Sequence, residues 1–148
     1  MAIVRTAGTE IIRSASFNVV TSTAQTLILG VQHHIYTVLS VIAYCTGRNG
    51  TEEGYLYLTA YDGKAGSTAQ TISIADISSP VGGTFVFNDK FSFNGFEPTD
   101  FTGAMDGADD QDAIADQGSS VAQKLMFVTP SVHTGFDLHV TYIDANNS

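Results

Sequence analysis

Residues 33–45 read HHIYTVLSVIAYC, the longest apolar run in the chain. β-Branched and aromatic residues dominate it and neither Gly nor Pro interrupts it, which predicts a strand rather than a helix. Successive side chains of a strand point to opposite faces. One face would carry Ile35, Leu39, Val41 and Ala43, and the other Tyr36, Val38, Ile42 and Tyr44. Both faces are largely apolar. Such a strand lies centrally in a sheet covered on both sides, or packs one face against a neighbouring subunit.

The neighbouring segments repeat the period of two. Upstream, TEIIRSASFNVV and QTLILG predict two early strands or one broken strand. Downstream, the Gly-punctuated GRNGTEEG predicts a hairpin loop, with YLYLTAYDG as the return strand. TISIADI alternates, which places Ile72 and Ile74 toward the core. After the SSPVGG turn, TFVFND aligns Phe85 with Phe87, and KFSFNGF aligns Phe91 with Phe93. A long irregular insert, Glu97 to Gln123, precedes KLMFVTPS and GFDLHVTYID. In the last segment Phe136, Leu138, Val140 and Tyr142 share one face, while Asp137, His139 and Thr141 share the other. Short strands at hairpin spacing, with no amphipathic helix beyond a turn or two, predict an all-β fold: an antiparallel, jelly-roll-like β-sandwich. The expected organisation is one domain over residues 1–148, with an extended arm at 1–16 and an insert loop at 97–123.

Composition narrows the function classes. Of 148 residues, 43% are apolar and 14% charged, which suits a folded chain with its own core and excludes a disordered one. The net charge is −9 and Lys and Arg nowhere cluster, so the sequence predicts no contact with a nucleic-acid backbone or an anionic membrane. The single cysteine, Cys45, lies in the apolar run and reads as a small buried hydrophobe. The start MAIVRTAGTEIIRSA lacks the apolar core of a secretory signal, and no window is long enough for a transmembrane helix. Synthesis in a cytoplasm is the expectation.

The stretch DGADDQDAIAD, Asp106–Asp116, packs five carboxylates without a basic residue. A calcium loop of the EF-hand type needs oxygen ligands at positions 1, 3 and 5, Gly at 6 and Glu at 12. Starting at Asp106, the third position is Ala108, the sixth Gln111 and the twelfth Gln117; starting at Asp110, the fifth is Ile114 and the twelfth Val121. Both registers fail, which leaves open a looser calcium site. The plainer reading is a short helical turn capped by Asp109 or Asp110, with Asp112 near its positive end. The histidines His33, His34, His133 and His139 lack metal-ligand spacing and read as surface or edge-strand residues. Neither a GxSxG elbow nor a phosphate loop occurs. A triad or a carboxylate pair gathered from distant strands leaves no sequence signature. Nothing here names a catalytic, cofactor-binding or metal-binding residue.

The order from residue 33 to about 144 carries a resemblance. IYTVLSVIAYCTG is an apolar strand ending in Cys-Thr; YLYLTAYD and TISIADISSPVGGTFVFNDKFSF follow, reaching NDK, and the chain closes on LHVTYIDANNS. This order resembles small β-sandwich virion proteins of tailed bacteriophages, especially marine and cyanobacterial ones, including capsid decoration (cement) proteins. The insert at Glu97–Gln123 departs from that pattern, where relatives have a shorter connection. The resemblance implies a structural part of a virus particle: a homotrimer on the outer surface of the shell, with the major capsid protein as partner and no cofactor or enzymatic activity. On that reading the N-terminal segment before Phe17, which holds Arg5 and Arg13, is a capsid-binding arm. The insert would pack on another subunit through Phe96, Phe101, Met105 and Ile114, its carboxylates facing water. Other readings are a tail, neck or fibre-base protein, a carbohydrate-binding module displaying exposed Tyr residues, and an enzyme.

Overall fold

A computed structural model describes residues 9–47, 50–61, 69–98, 107–109, 112, 120–130 and 135–146. The strands are β1 (Thr9–Val20), β2 (Gln25–Leu29), β3 (His34–Cys45), β4 (Thr51–Tyr61), β5 (Ala69–Pro80), β6 (Thr84–Phe87), β7 (Phe91–Asn94), β8 (Phe96–Pro98), β9 (Ser120–Ala122), β10 (Lys124–Val128) and β11 (Phe136–Asn146). One sheet runs β1-β11-β3-β6, with β7 also paired to β3; the other runs β2-β10-β4-β5. Every pairing is antiparallel. Strands β6 and β7 lie end to end along β3, β6 opposite Val41–Tyr44 and β7 opposite Ile35–Val38. Counted as one broken strand, they complete the strand order of a jelly roll. The expected all-β sandwich is what the chain forms.

Inner-face side chains of both sheets make the core. Val38, Val41, Val140 and Phe136 of the first sheet meet Leu56, Leu125 and Phe127 of the second, all with no exposed surface. Phe127 meets Phe136 edge-on across the sheets, ring centres 5.4 Å apart. Gly54 makes that possible, because a Cβ there would lie 2.4 Å from the Phe127 ring. Full burial of side chains this size is worth about 1.5–3 kcal/mol each. The aromatic alignments read from the sequence hold: Phe85, Phe87 and Phe91 pack against the core and Phe93 belongs to it.

Strict alternation fails in β3. Thr141 faces Ser40 but Tyr142 faces Val38, so Leu39 is an extra residue, a β-bulge. Inward-facing parity therefore switches: Tyr36 and Val38 are buried below the bulge, and Val41, Ala43 and Cys45 above it. Ile35, Ile42 and Tyr44 are left exposed. A second register shift, where Leu56 faces Ala75 but Tyr57 faces Ser73, moves β5 the same way. Ile72, expected inside, is exposed, Ile74 is half-buried and Ile77 takes the core position.

Two further expectations are corrected. GRNGTEEG is not a hairpin loop, because β3 and β4 belong to different sheets and the chain crosses between them. The β5–β6 turn crosses back beside it, joined by Val81 N–H to Gly50 O and Gly82 N–H to Cys45 O. The N-terminal segment is not an arm throughout: Thr9–Ser16 forms most of β1, in register with His139–Asn146. Met1–Gly8, with Arg5, lies outside the described residues.

The insert is closed at its base by the β8–β9 pair, where Phe96 faces Ala122 and Pro98 faces Ser120. Ala108, Asp109 and Asp112 are helical, and both aspartates are exposed. Asp109 thus sits inside the turn it was expected to cap. Phe96 is half-buried; Phe101, Met105, Asp106, Asp110, Ile114 and Asp116 lie outside the described residues, so the proposed subunit contact and the calcium alternative fall there too.

Candidate functional site

Three arrangements on the first sheet hold the chemistry-bearing side chains. The first caps one end of the core. On β11 the inward-facing series Phe136, Leu138, Val140, Tyr142 runs on to Asp144, which is only 6% exposed. Its two carboxylate oxygens are shared between strands: Oδ2 accepts from Arg13 Nε of β1 at 3.0 Å, and Oδ1 lies 2.6 Å from His34 Nδ1 of β3. A buried carboxylate is costly unless paired and hydrogen-bonded, and this one is both. Tyr36 stacks between His34 and Phe93, with ring centres 6.0 and 5.3 Å away, and its hydroxyl accepts the Val31 N–H at 3.1 Å. Burial pushes the Tyr36 phenol above its ordinary pKa, and the Asp144 charge pushes the same way. Burial also raises Tyr142, against the pull of Arg13. The cluster ties β1, β11 and β3 together; its chemistry is that of a structural ion pair.

The second arrangement is a nucleophile–base pair that the sequence did not expose. Ser16 and His139 are cross-strand partners, with Ser16 Oγ 2.8 Å from His139 Nδ1. A catalytic serine needs its histidine oriented by a third group. Asp137 is on the same face, but its Oδ1 accepts the backbone N–H of Val19 at 2.8 Å. Val19 has φ 52°, a conformation costly for a β-branched residue, and the carboxylate holds it at the bulge that ends β1. Asp137 is committed to that turn, and Ser16 lies exposed on an open sheet face. This is a surface hydrogen bond without the rest of a catalytic constellation.

The third arrangement lies on the same outer face. Ile42 faces Val86 across β3–β6, and Tyr44 faces Thr84. Ile42, Tyr44 and Val86 are 37%, 42% and 51% exposed, and Val81 at the adjoining turn is exposed too. Ile42 and Tyr44 are the half of the Tyr36, Val38, Ile42 and Tyr44 face that the Leu39 bulge turns outward, uncovered within one chain. Tyr44 is the exposed tyrosine among the described side chains; Tyr36 is buried, and Tyr55, Tyr57 and Tyr142 are half-buried.

The candidate histidines go to different places. His33 occupies the β2–β3 turn with φ 64°, His34 joins Asp144 and His139 joins Ser16, while His133 lies outside the described residues. Among the described residues no group of three or more His, Cys, Asp or Glu side chains converges. Cys45 is fully buried, as read from its apolar surroundings.

No known protein-family model matches the chain, and no curated protein does. One solved structure, of Bacillus endospore appendages described as a novel family of disulfide-linked pili, aligns with 100% of this chain and 97% of its own at 11% identity and a TM-score of 0.45. Likeness at that level carries no functional argument, and it bears neither for nor against the phage resemblance.

Proposed function

We propose that this chain is a virion structural protein, a capsid decoration protein that lies on the outer surface of the major capsid protein shell as a homotrimer and stabilises it. The observation that carries this reading is the uncovered apolar strip Ile42, Tyr44 and Val86, which runs from β3 onto the edge strand β6 of the first sheet. Contiguous exposed apolar surface marks contact with another macromolecule. The residues that resemble phage virion proteins, from IYTVLSVIAYCTG to LHVTYIDANNS, supply the kind of partner. The jelly roll is compatible but not selective, since capsid proteins, lectins and cupins share it.

In this reading the strip faces the shell, and decoration adds contacts between neighbouring capsid subunits. A reconstruction of the intact particle tests it. The chain is expected over the whole shell, with Ile42 and Tyr44 against the capsid protein. Density confined to one vertex, neck or tail would refute decoration. With purified components, Tyr44→Asp and Ile42→Asp are expected to abolish binding to undecorated capsids while leaving the melting temperature close to the parent's.

A further inference from the structure

Strand β1 is the edge of its sheet, hydrogen-bonded to β11 on one side and, among the described residues, to no strand on the other. Every residue from Thr9 to Ser14 is exposed. Inner face, outer face and free edge are bare together. Ile12 is the most exposed large apolar residue described, at 72%, and Ile11 on the opposite face is 44% exposed. Edge strands are ordinarily protected by Lys, Pro, bulges or brevity. TEIIRSASF contains neither Lys nor Pro, and its bulge comes only after Phe17. The one cation, Arg13, is drawn away to Asp144.

We propose that the β1 edge is a self-association surface, on which β1 of a second copy pairs antiparallel about a two-fold axis passing beside Ile12. An axis normal to the sheet is the one that sets two identical strands antiparallel, and it keeps inner face beside inner face. A residue then pairs only with a partner residue of the same parity. Centring on Glu10 sets two glutamates opposite one another, and centring on Thr9 or Ser14 leaves most of the exposed segment unpaired, so three centres remain. Centring on Arg13 sets two arginines opposite one another, which is unfavourable. Centring on Ile11 sets Glu10 against the partner's Ile12. Centring on Ile12 sets Ile12 against its own copy, Glu10 against Ser14, and Ile11 against the aliphatic stem of Arg13, with no like charges opposed. The Val19 bulge ends the ladder beyond it. A two-fold contact closes on itself, so the edge is used up rather than left to template fibres.

This contact goes beyond the decoration reading and does not depend on it. In a trimeric assembly it joins chains of neighbouring trimers, not the three within one.

The test uses the full-length chain. Ile12→Cys under mild oxidation is expected to give disulfide-linked pairs on a non-reducing gel, because directly opposed Cβ atoms lie within bridging range. The parent, whose Cys45 is fully buried, stays unlinked. Ile12→Lys, and independently Ser14→Lys, are expected to halve the assembly mass in sedimentation with an unchanged melting temperature. An Ile12→Cys chain that stays single, or Lys variants of parental mass, overturns the proposal. So does cross-linking of Ile12→Cys only to Ile72→Cys, which would mean β1 pairs with the β5 edge. Isolated chains scattered over a capsid, with Ile12→Lys still bound, would remove this contact and leave decoration standing.

Discussion

Replacing Asp144 with Ala removes the acceptor that Arg13 and His34 share. The Arg13 side chain is 48% exposed, so its half of the interaction is screened and worth about 0–1 kcal/mol. The His34 contact is different: both side chains are largely buried, at 18% and 8% exposure, and the 2.6 Å separation is that of a short hydrogen bond. Losing a charged acceptor and leaving a buried donor unpaired costs about 1.5–3 kcal/mol. Together these give about 1.5–4 kcal/mol, a large share of the roughly 5–15 kcal/mol that holds a typical domain folded. For a chain of this length that corresponds to a fall of about 5–12 °C in melting temperature. Asp144→Asn, which keeps one oxygen acceptor, is expected to cost roughly half as much. The assay is urea denaturation followed by circular dichroism on the parent, Asp144→Ala, His34→Ala and the double variant. The cycle should show coupling above about 1 kcal/mol for His34–Asp144, and a parallel cycle with Arg13→Ala should show less for Arg13–Asp144. A loss under about 1 kcal/mol for Asp144→Ala, or additive single losses with His34→Ala, would refute the reasoning.

Gly95→Ala is expected to abolish soluble expression or cost more than about 3 kcal/mol. The new Cβ would lie 1.9 Å from the Val31 carbonyl oxygen, and Gly95 is held by its N–H donating to His34 O and its O accepting from Gln123 N–H, so nothing flexible can give way; an unchanged melting temperature would contradict this. Deleting Leu39 removes the β3 bulge but leaves Ser40 opposite Thr141 and Val38 opposite Tyr142, so a regular ladder keeps Tyr36 and Val38 in the core; the variant is expected to keep cooperative unfolding, as read by calorimetry, and a loss of cooperativity would contradict this. Tyr36 and Tyr142 have pKa values raised in the folded state, so the folded chain holds their protons more tightly than the unfolded one. Their contribution is fully present below the unfolded value of about 10 and is lost as pH rises through the folded values. Stability should decline above that pH, and Tyr36→Phe should flatten the decline; a slope unchanged by the substitution counts against it. Tyr36→Phe also removes the acceptor of the Val31 N–H, at a cost of about 1–2 kcal/mol at neutral pH by urea titration.

The sequence by itself determined the fold class and most of the strands. Period-two alternation with β-branched and aromatic residues is a local property, so Phe136, Leu138 and Val140 could be assigned to the core, and Asp137 and His139 to the outer face, without knowing any neighbour. It also marked HHIYTVLSVIAYC as a strand with two apolar faces, and part of one of these, Ile42 and Tyr44, belongs to the uncovered strip. Tertiary structure alone decided which residues occupy each face. A bulge at Leu39 reverses the parity of β3, and a second at Ile74 reverses that of β5, where Ile72 comes to lie opposite Leu58 yet stays exposed; both arise from cross-strand register, which no local pattern encodes. The Arg13–Asp144–His34 cluster and the Ser16–His139 pair were hidden for the same reason. Each of these contacts spans more than 100 residues of sequence and forms only because a jelly roll lays its last strand between its first and β3.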